Sequence, residues 1–202
     1  LDSKVKVEAA RTAYNALTDE QKALVNNLET LEEAEAKIER LEAAKAVEDQ
    51  IAALGEISLD SKEAVEAARK AYEALTEEQK KLVKNLNILT AAEAKIEELN
   101  KIENELKELV NSLPDSIDGY SELEEKTKKE LVKVKELKEN LGAEFKLEEE
   151  SEDKLIKLEE EFSLLDENGY SSKIGDRNFI SLEKALEESK AGDLVIVLKN
   201  YN

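Results

Sequence analysis

Residues 59–99 read LDSKEAVEAARKAYEALTEEQKKLVKNLNILTAAEAKIEEL, and residues 1–41 read LDSKVKVEAARTAYNALTDEQKALVNNLETLEEAEAKIERL. The two stretches align without a gap at an offset of 58, and 29 of 41 positions are identical. Repetition at such a period means that one supersecondary unit has been stacked. Arrays of this kind serve as scaffolds, spacers or binding surfaces, and they argue against a single catalytic centre.

Each copy reads as three helices. In the second copy, Asp60 or Ser61 is placed to cap a first helix reaching Leu75. Val65, Ala68, Tyr72 and Leu75 follow one another at spacings of 3, 4 and 3, which is one helical stripe. Thr76-Glu77-Glu78-Gln79 fits a capping box opening a short helix, with Leu82, Val83 and Leu86 as its apolar face. Thr90-Ala91-Ala92-Glu93 fits a second capping box and predicts the start of a long third helix with the stripe Leu89, Ala92, Ile96, Leu99. The first copy repeats these stripes as Val7, Ala10, Tyr14, Leu17, then Leu24, Val25, Leu28, then Leu31, Ala34, Ile38, Leu41.

The third helix does not end where the copy ends. Neither Gly nor Pro interrupts Thr30–Leu54, and Gly55 stands where a helix terminator belongs. The run is roughly 24 residues, or about 36 Å of helix. Its first half belongs to the first bundle, and Val47, Ile51 and Leu54 are expected to pack on the second.

A degenerate third copy follows at an offset of 55, with Ile102, Leu106 and Leu109 in the places of Val47, Ile51 and Leu54. Pro114, Gly119 and Gly142 punctuate it, predicting helices over about 121–140 and 149–165. After Gly169 the period changes. Ser181 can cap a short helix over Leu182–Lys190, residues 172–181 can form a hairpin around Gly175-Asp176, and Leu194–Leu198 reads as a buried strand. The expected fold class is mainly α: tandem three-helix bundles sharing long connecting helices, an elongated rod, with a small α/β tail. The expected divisions are 1–45, 46–101, 102–168 and 169–202, the last being the possible start of a following β domain.

The net charge is −19, with charged residues at 39% and aromatics at 4%. Residues 170–202 hold five Lys/Arg and five Asp/Glu, so the whole excess sits in residues 1–169. An acidic balance opposes binding to nucleic acid or to an anionic membrane surface, since both need a basic footprint. No apolar run approaches the roughly 18 residues that would span a bilayer. With no His and no Cys, the chain has no Ser-His-Asp or Cys-His centre and none of the usual zinc ligands. Carboxylate runs such as Glu122-Leu123-Glu124-Glu125 read as a solvated helix face. Asp166-Glu167-Asn168-Gly169 is a poor calcium loop, because Tyr170 and Arg177 occupy ligand places. Tyr14 and Tyr72 invite a sugar-stacking reading, but their stripe position assigns them to the core. Asn27 and Asn85, beside Asn26 and Lys84, are read as caps of a helix–helix corner. No catalytic, cofactor-binding or metal residue is assigned, no cofactor is expected, and the chain is expected not to be an enzyme.

The motif LDS…AR-x-AY-x-ALT-x-EQ-K-x-LV-x-NL…AEAKIE resembles the tandem three-helix, FIVAR-like repeats of secreted and wall-anchored Firmicutes surface proteins. The resemblance covers residues 1–99 well and 100–165 weakly. It implies an extracellular, cell-wall or secreted setting and a spacer or interaction role, and it carries over no catalytic residue. The tail S-L-x-x-A-L…A-G-D-L-V-I-V-L-x-N-Y resembles the N-terminal cap of a right-handed parallel β-helix. The expected function is therefore a non-catalytic extracellular stalk, monomeric, with no nucleic-acid partner and no membrane insertion. Two rival expectations are an adhesin module for a host surface protein, a serum protein such as immunoglobulin or a glycan, and an accessory region of a β-helix polysaccharide-processing enzyme. The opening Leu1-Asp2-Ser3 is the counterpart of Leu59-Asp60-Ser61, so the chain reads as a piece of a longer protein.

Overall fold

The structure is a computed structural model describing residues 2–198, the side chains at 2, 121, 167 and 168 excepted. Among the described residues it holds nine α-helices and one three-stranded sheet, which makes it mainly α with a small α/β tail. The chain divides into two compact units, Leu1–Glu97 and Glu98–Asn202.

The first unit contains α1 (Asp2–Asn15), α2 (Asp19–Lys22), α3 (Leu28–Ala52), α4 (Lys62–Glu73), α5 (Glu77–Lys80) and the start of α6 (Leu86–Ser112). The short helices α2 and α5 begin as the sequence predicts. Thr18 accepts from the Gln21 N–H and Thr76 from the Gln79 N–H, while each glutamine reaches back to its cap residue. Ion pairing then aligns α1 with α3: Arg11 holds Glu35 through two bonds of 2.6 and 2.5 Å. Arg69 on α4 grips Glu93 on α6 in the same way.

Helix α3 is one unbroken element of 25 residues that serves both copies. Its first half packs with α1, and its second half buries Ala44, Val47 and Ile51. Val47 and Ile51 join Val65, Ala68, Leu89, Ala92 and Ile96 in a single apolar cluster, with Leu54, Ile57, Tyr72, Leu75 and Leu86 packed around it. Gly55 follows the helix with φ +62, a conformation that Gly adopts without strain.

Several expectations are corrected here. Thr90 does not open α6, which starts at Leu86. Thr90 Oγ1 instead donates to the Leu86 carbonyl at 3.2 Å, inside the helix. The capping box is lost because Thr90 lies four residues inside the helix, where there is no start to cap, and Glu93 pairs with Arg69. Neither Asp60 nor Ser61 caps α4: residues 59–61 form a 3₁₀ turn, and Ser61 Oγ accepts from the Ser58 N–H at 3.1 Å. Leu24 and Leu41 are exposed, Leu24 at 82%, so they do not join a core. The counterpart of Leu24, Leu82 after the equally short α5, is half-buried.

In the second unit, α6 continues to Ser112, and α7 (Glu124–Leu141) and α8 (Glu149–Asn168) follow. The last two run antiparallel, as the pairs Lys138–Glu152, Lys135–Glu159 and Lys128–Asp166 show. Leu106 and Val110 on α6 and Leu113 just after it are buried, with Leu131, Val134 and Leu137 on α7 and Leu155, Leu158 and Phe162 on α8. Spacings of 3 and 4 give each helix one apolar stripe. Thr127, which stands in the place of Tyr72, is also buried.

The tail forms β1 (Ser172–Ile174), β2 (Arg177–Phe179), α9 (Leu182–Glu188) and β3 (Val195–Val197). Strand β1 is central and antiparallel to both neighbours, with Lys173 opposite Asn178 on one side and Ile196 on the other. Ser181 Oγ caps α9 through the Lys184 N–H. The reading of Leu194–Leu198 as a buried strand is half corrected. Residues 195–197 are a strand, but β3 lies at the sheet edge and Ile196, Val197, Leu194 and Leu198 are exposed.

Candidate functional site

The equivalent tyrosines lie in equivalent settings. The Arg11 guanidinium carbon is 5.5 Å from the centre of the Tyr14 ring and Lys22 Nζ is 5.9 Å away. Arg69 and Lys80 flank Tyr72 at the same two distances. Tyr72 is half-buried against the apolar cluster, and Tyr14 is half-buried in the first copy. The flanking cations cover ring faces that a sugar would need for stacking, and their quadrupole attraction holds each ring at the bundle edge. Sequence reasoning missed the arginine clasp. The signal was available, because Arg and Glu recur 24 residues apart in both copies.

The asparagines behave differently from one another and from their expected role. Asn85 Nδ2 donates to the main-chain carbonyl of Glu48 on α3 at 2.8 Å, and the Lys84 N–H donates to Glu48 Oε1 at 2.8 Å. Asn85 thus fastens the incoming helix to the second bundle instead of capping a corner. Asn27 stands at the N-cap of α3 and makes no side-chain capping bond.

Around Asn27 the first copy opens a groove of about 470 Å³, lined by Val7, Ala10, Tyr14, Leu17, Leu28 and Leu31 among others. Its counterparts 58 residues on are filled. Val65 is 3% exposed and Ala68 0%, whereas Val7 is half-buried and Ala10 exposed. A second hollow of about 510 Å³ on the other side of α1 and α3 is lined by charged residues that already pair, Lys4 with Glu42 and Arg11 with Glu35.

The second unit has a polar hub at residues 116–120. Glu161 accepts from Ser116 Oγ at 2.6 Å and from the Ile117 N–H at 2.8 Å. Asp118 is buried and accepts from the Ile180 N–H at 2.5 Å. Burial pushes its carboxyl above the ordinary range, and the nearby charge of Glu161 adds to that, against the lowering pull of the backbone donors. Arg177 donates to the Gly119 carbonyl at 3.0 Å and lies over the Tyr120 and Phe179 rings. These contacts tie the sheet to the 116–120 loop, and each polar partner is already engaged.

Two of the residues weighed for calcium are engaged elsewhere. Asp166 pairs with Lys128 at 3.3 Å, Tyr170 donates to Glu124 at 2.8 Å, and Glu167 and Asn168 have side chains outside the described set. Burial and then Glu124 push the Tyr170 phenol up, so it stays protonated. Among the described residues no group of three or more His, Cys, Asp or Glu could hold a metal ion. No described helix is long and apolar enough to cross a membrane. Compared with known proteins, the chain matches no family model, no curated sequence and no solved structure.

Proposed function

We propose that this chain is a non-catalytic extracellular spacer, built so that successive helical bundles share a helix instead of meeting at a loop. The observation that carries the reading is α3, 25 residues long, with one half packed in the first bundle and the other half in the core of the second. A hydrogen-bonded ladder resists bending where a flexible linker would not. The Asn85–Glu48 clasp supports it further by locking the helix to the bundle it enters. The extracellular setting rests on the resemblance of the repeat motif.

The chain has no native cysteine, so a spin-label pair can be placed cleanly. Labels at Glu33→Cys and Gln50→Cys sit 17 residues apart on α3, about 26 Å along the axis. A single narrow distance distribution is expected. A broad or bimodal one would mean a hinge between the bundles and would overturn the spacer reading.

A further inference from the structure

We infer that the open groove of the first copy is the docking site for the connecting helix of another repeat of the same kind. The occupant is the end of an amphipathic helix and the turn after it, with apolar residues in the pattern of Val47 and Ile51 on the helix and Leu54 and Ile57 beyond it, and a glutamate directly after the first of them.

The second copy supplies the reference. Val65, Ala68, Leu75, Leu86 and Leu89 are the same residue types as Val7, Ala10, Leu17, Leu28 and Leu31. They differ in what covers them. In the second copy Val47, Ile51, Leu54 and Ile57 lie in the cluster with them. In the first copy the corresponding place is the groove. Composition cannot explain the difference in burial, because the lining is conserved between copies. The missing ingredient is a helix end with the turn after it.

Polar groups repeat the match. In the second copy the occupant is held at Glu48 by the Asn85 side chain and the Lys84 N–H. The first copy presents Asn27 and the Asn26 backbone in the corresponding places, and Asn27 makes no capping bond there. A helix bearing Val-Glu at this point would gain the same clasp together with apolar burial. The inference stands apart from the spacer reading, which concerns α3: a rigid α3 beside a groove that binds nothing would leave the spacer intact.

The test uses a peptide of residues 42–59 titrated into the whole chain, followed by amide chemical shifts. Saturable binding is expected, with shifts confined to residues around Val7, Ala10, Asn27 and Leu31. The chain variant Ala10→Glu puts a charge in the groove at an exposed helix position and is expected to weaken binding by about tenfold or more with its helix content unchanged. In a second arm, residues 42–58 are fused directly ahead of Leu1, which reproduces the spacing found before Leu59. This fusion is expected to slow amide exchange at Val7 and Leu31, and Ile51→Asp in the added segment is expected to abolish the effect. Three results would overturn the inference: no saturable binding, shifts centred on Val65 and Leu89, or equal protection from the Ile51→Asp fusion.

Discussion

Asn85 Nδ2 lies 2.8 Å from the main-chain oxygen of Glu48, and this bond joins the start of α6 to the helix arriving from the preceding copy. Its counterpart Asn27 has the same identity and is likewise followed by Leu, with Asn26 in the place of Lys84, yet among the described residues no such partner helix lies beside it. Asn85→Ala is expected to cost about 1 kcal/mol, the net worth of one partly buried hydrogen bond. Asn27→Ala should change stability by a few tenths of that or less. Urea titration read by hydrogen exchange in α4 and α6 checks both, and equal effects would contradict the clasp.

The paired valines test the same asymmetry in the apolar core. Val65 is 3% exposed and packs with Ile51, while Val7 is only half-buried. Val65→Ala is expected to cost about 2 kcal/mol through lost burial and the cavity left behind. Val7→Ala should cost less than half as much. Denaturant melts of the two single variants decide it.

The arginine clasp makes a pH prediction. The Arg69 guanidinium holds the Glu93 carboxyl below its ordinary value of about 4.5. A depressed folded value means the stabilisation is complete above the unfolded value and is lost as pH falls through the folded one. Glu93→Gln is therefore expected to lower stability by about 1 kcal/mol at pH 7. The gap from the parent chain should close as pH falls below 4.5. A gap that persisted at low pH would show that Glu93 acts through packing and not through charge.

Gly119 has no room for a side chain. It has φ +86, and a Cβ there would stand 2.6 Å from the Phe179 ring. Gly119→Ala combines backbone strain with a clash against a fully buried ring, and is expected to cost about 2 kcal/mol or more and to free the sheet from the 116–120 loop. Gly55→Ala shares the positive φ but meets nothing within 4 Å, so it should cost about 1 kcal/mol. Amide exchange of β1 and β2 separates local release of the sheet from global unfolding.

Periodicity made most of the helical fold legible. The capping boxes at Thr18 and Thr76, the passage of α3 through Val47 and Ile51, and the hairpin at Gly175-Asp176 follow from local residue patterns whose chemistry acts within a few positions. Errors arose where the local pattern did not decide the outcome. Glu93 could have served Thr90 three residues away, but α6 starts at Leu86, which makes Thr90 an interior residue, and Glu93 pairs with Arg69 twenty-four residues back. Leu194–Leu198 has the composition of a buried strand but lies at a sheet edge, since composition records propensity and not which face finds a cover.

By itself, the sequence determined that this protein is helical, repeated and acidic, with its apolar residues gathered into stripes. Those properties come from spacing and charge along the chain. Only the tertiary structure decided which stripes are covered. Two copies with the same Val, Ala and Leu lining end in opposite states, one closed over by Val47 and Ile51 and the other open as a groove. Burial depends on whether a second surface arrives, and a residue's own identity carries no record of its neighbour.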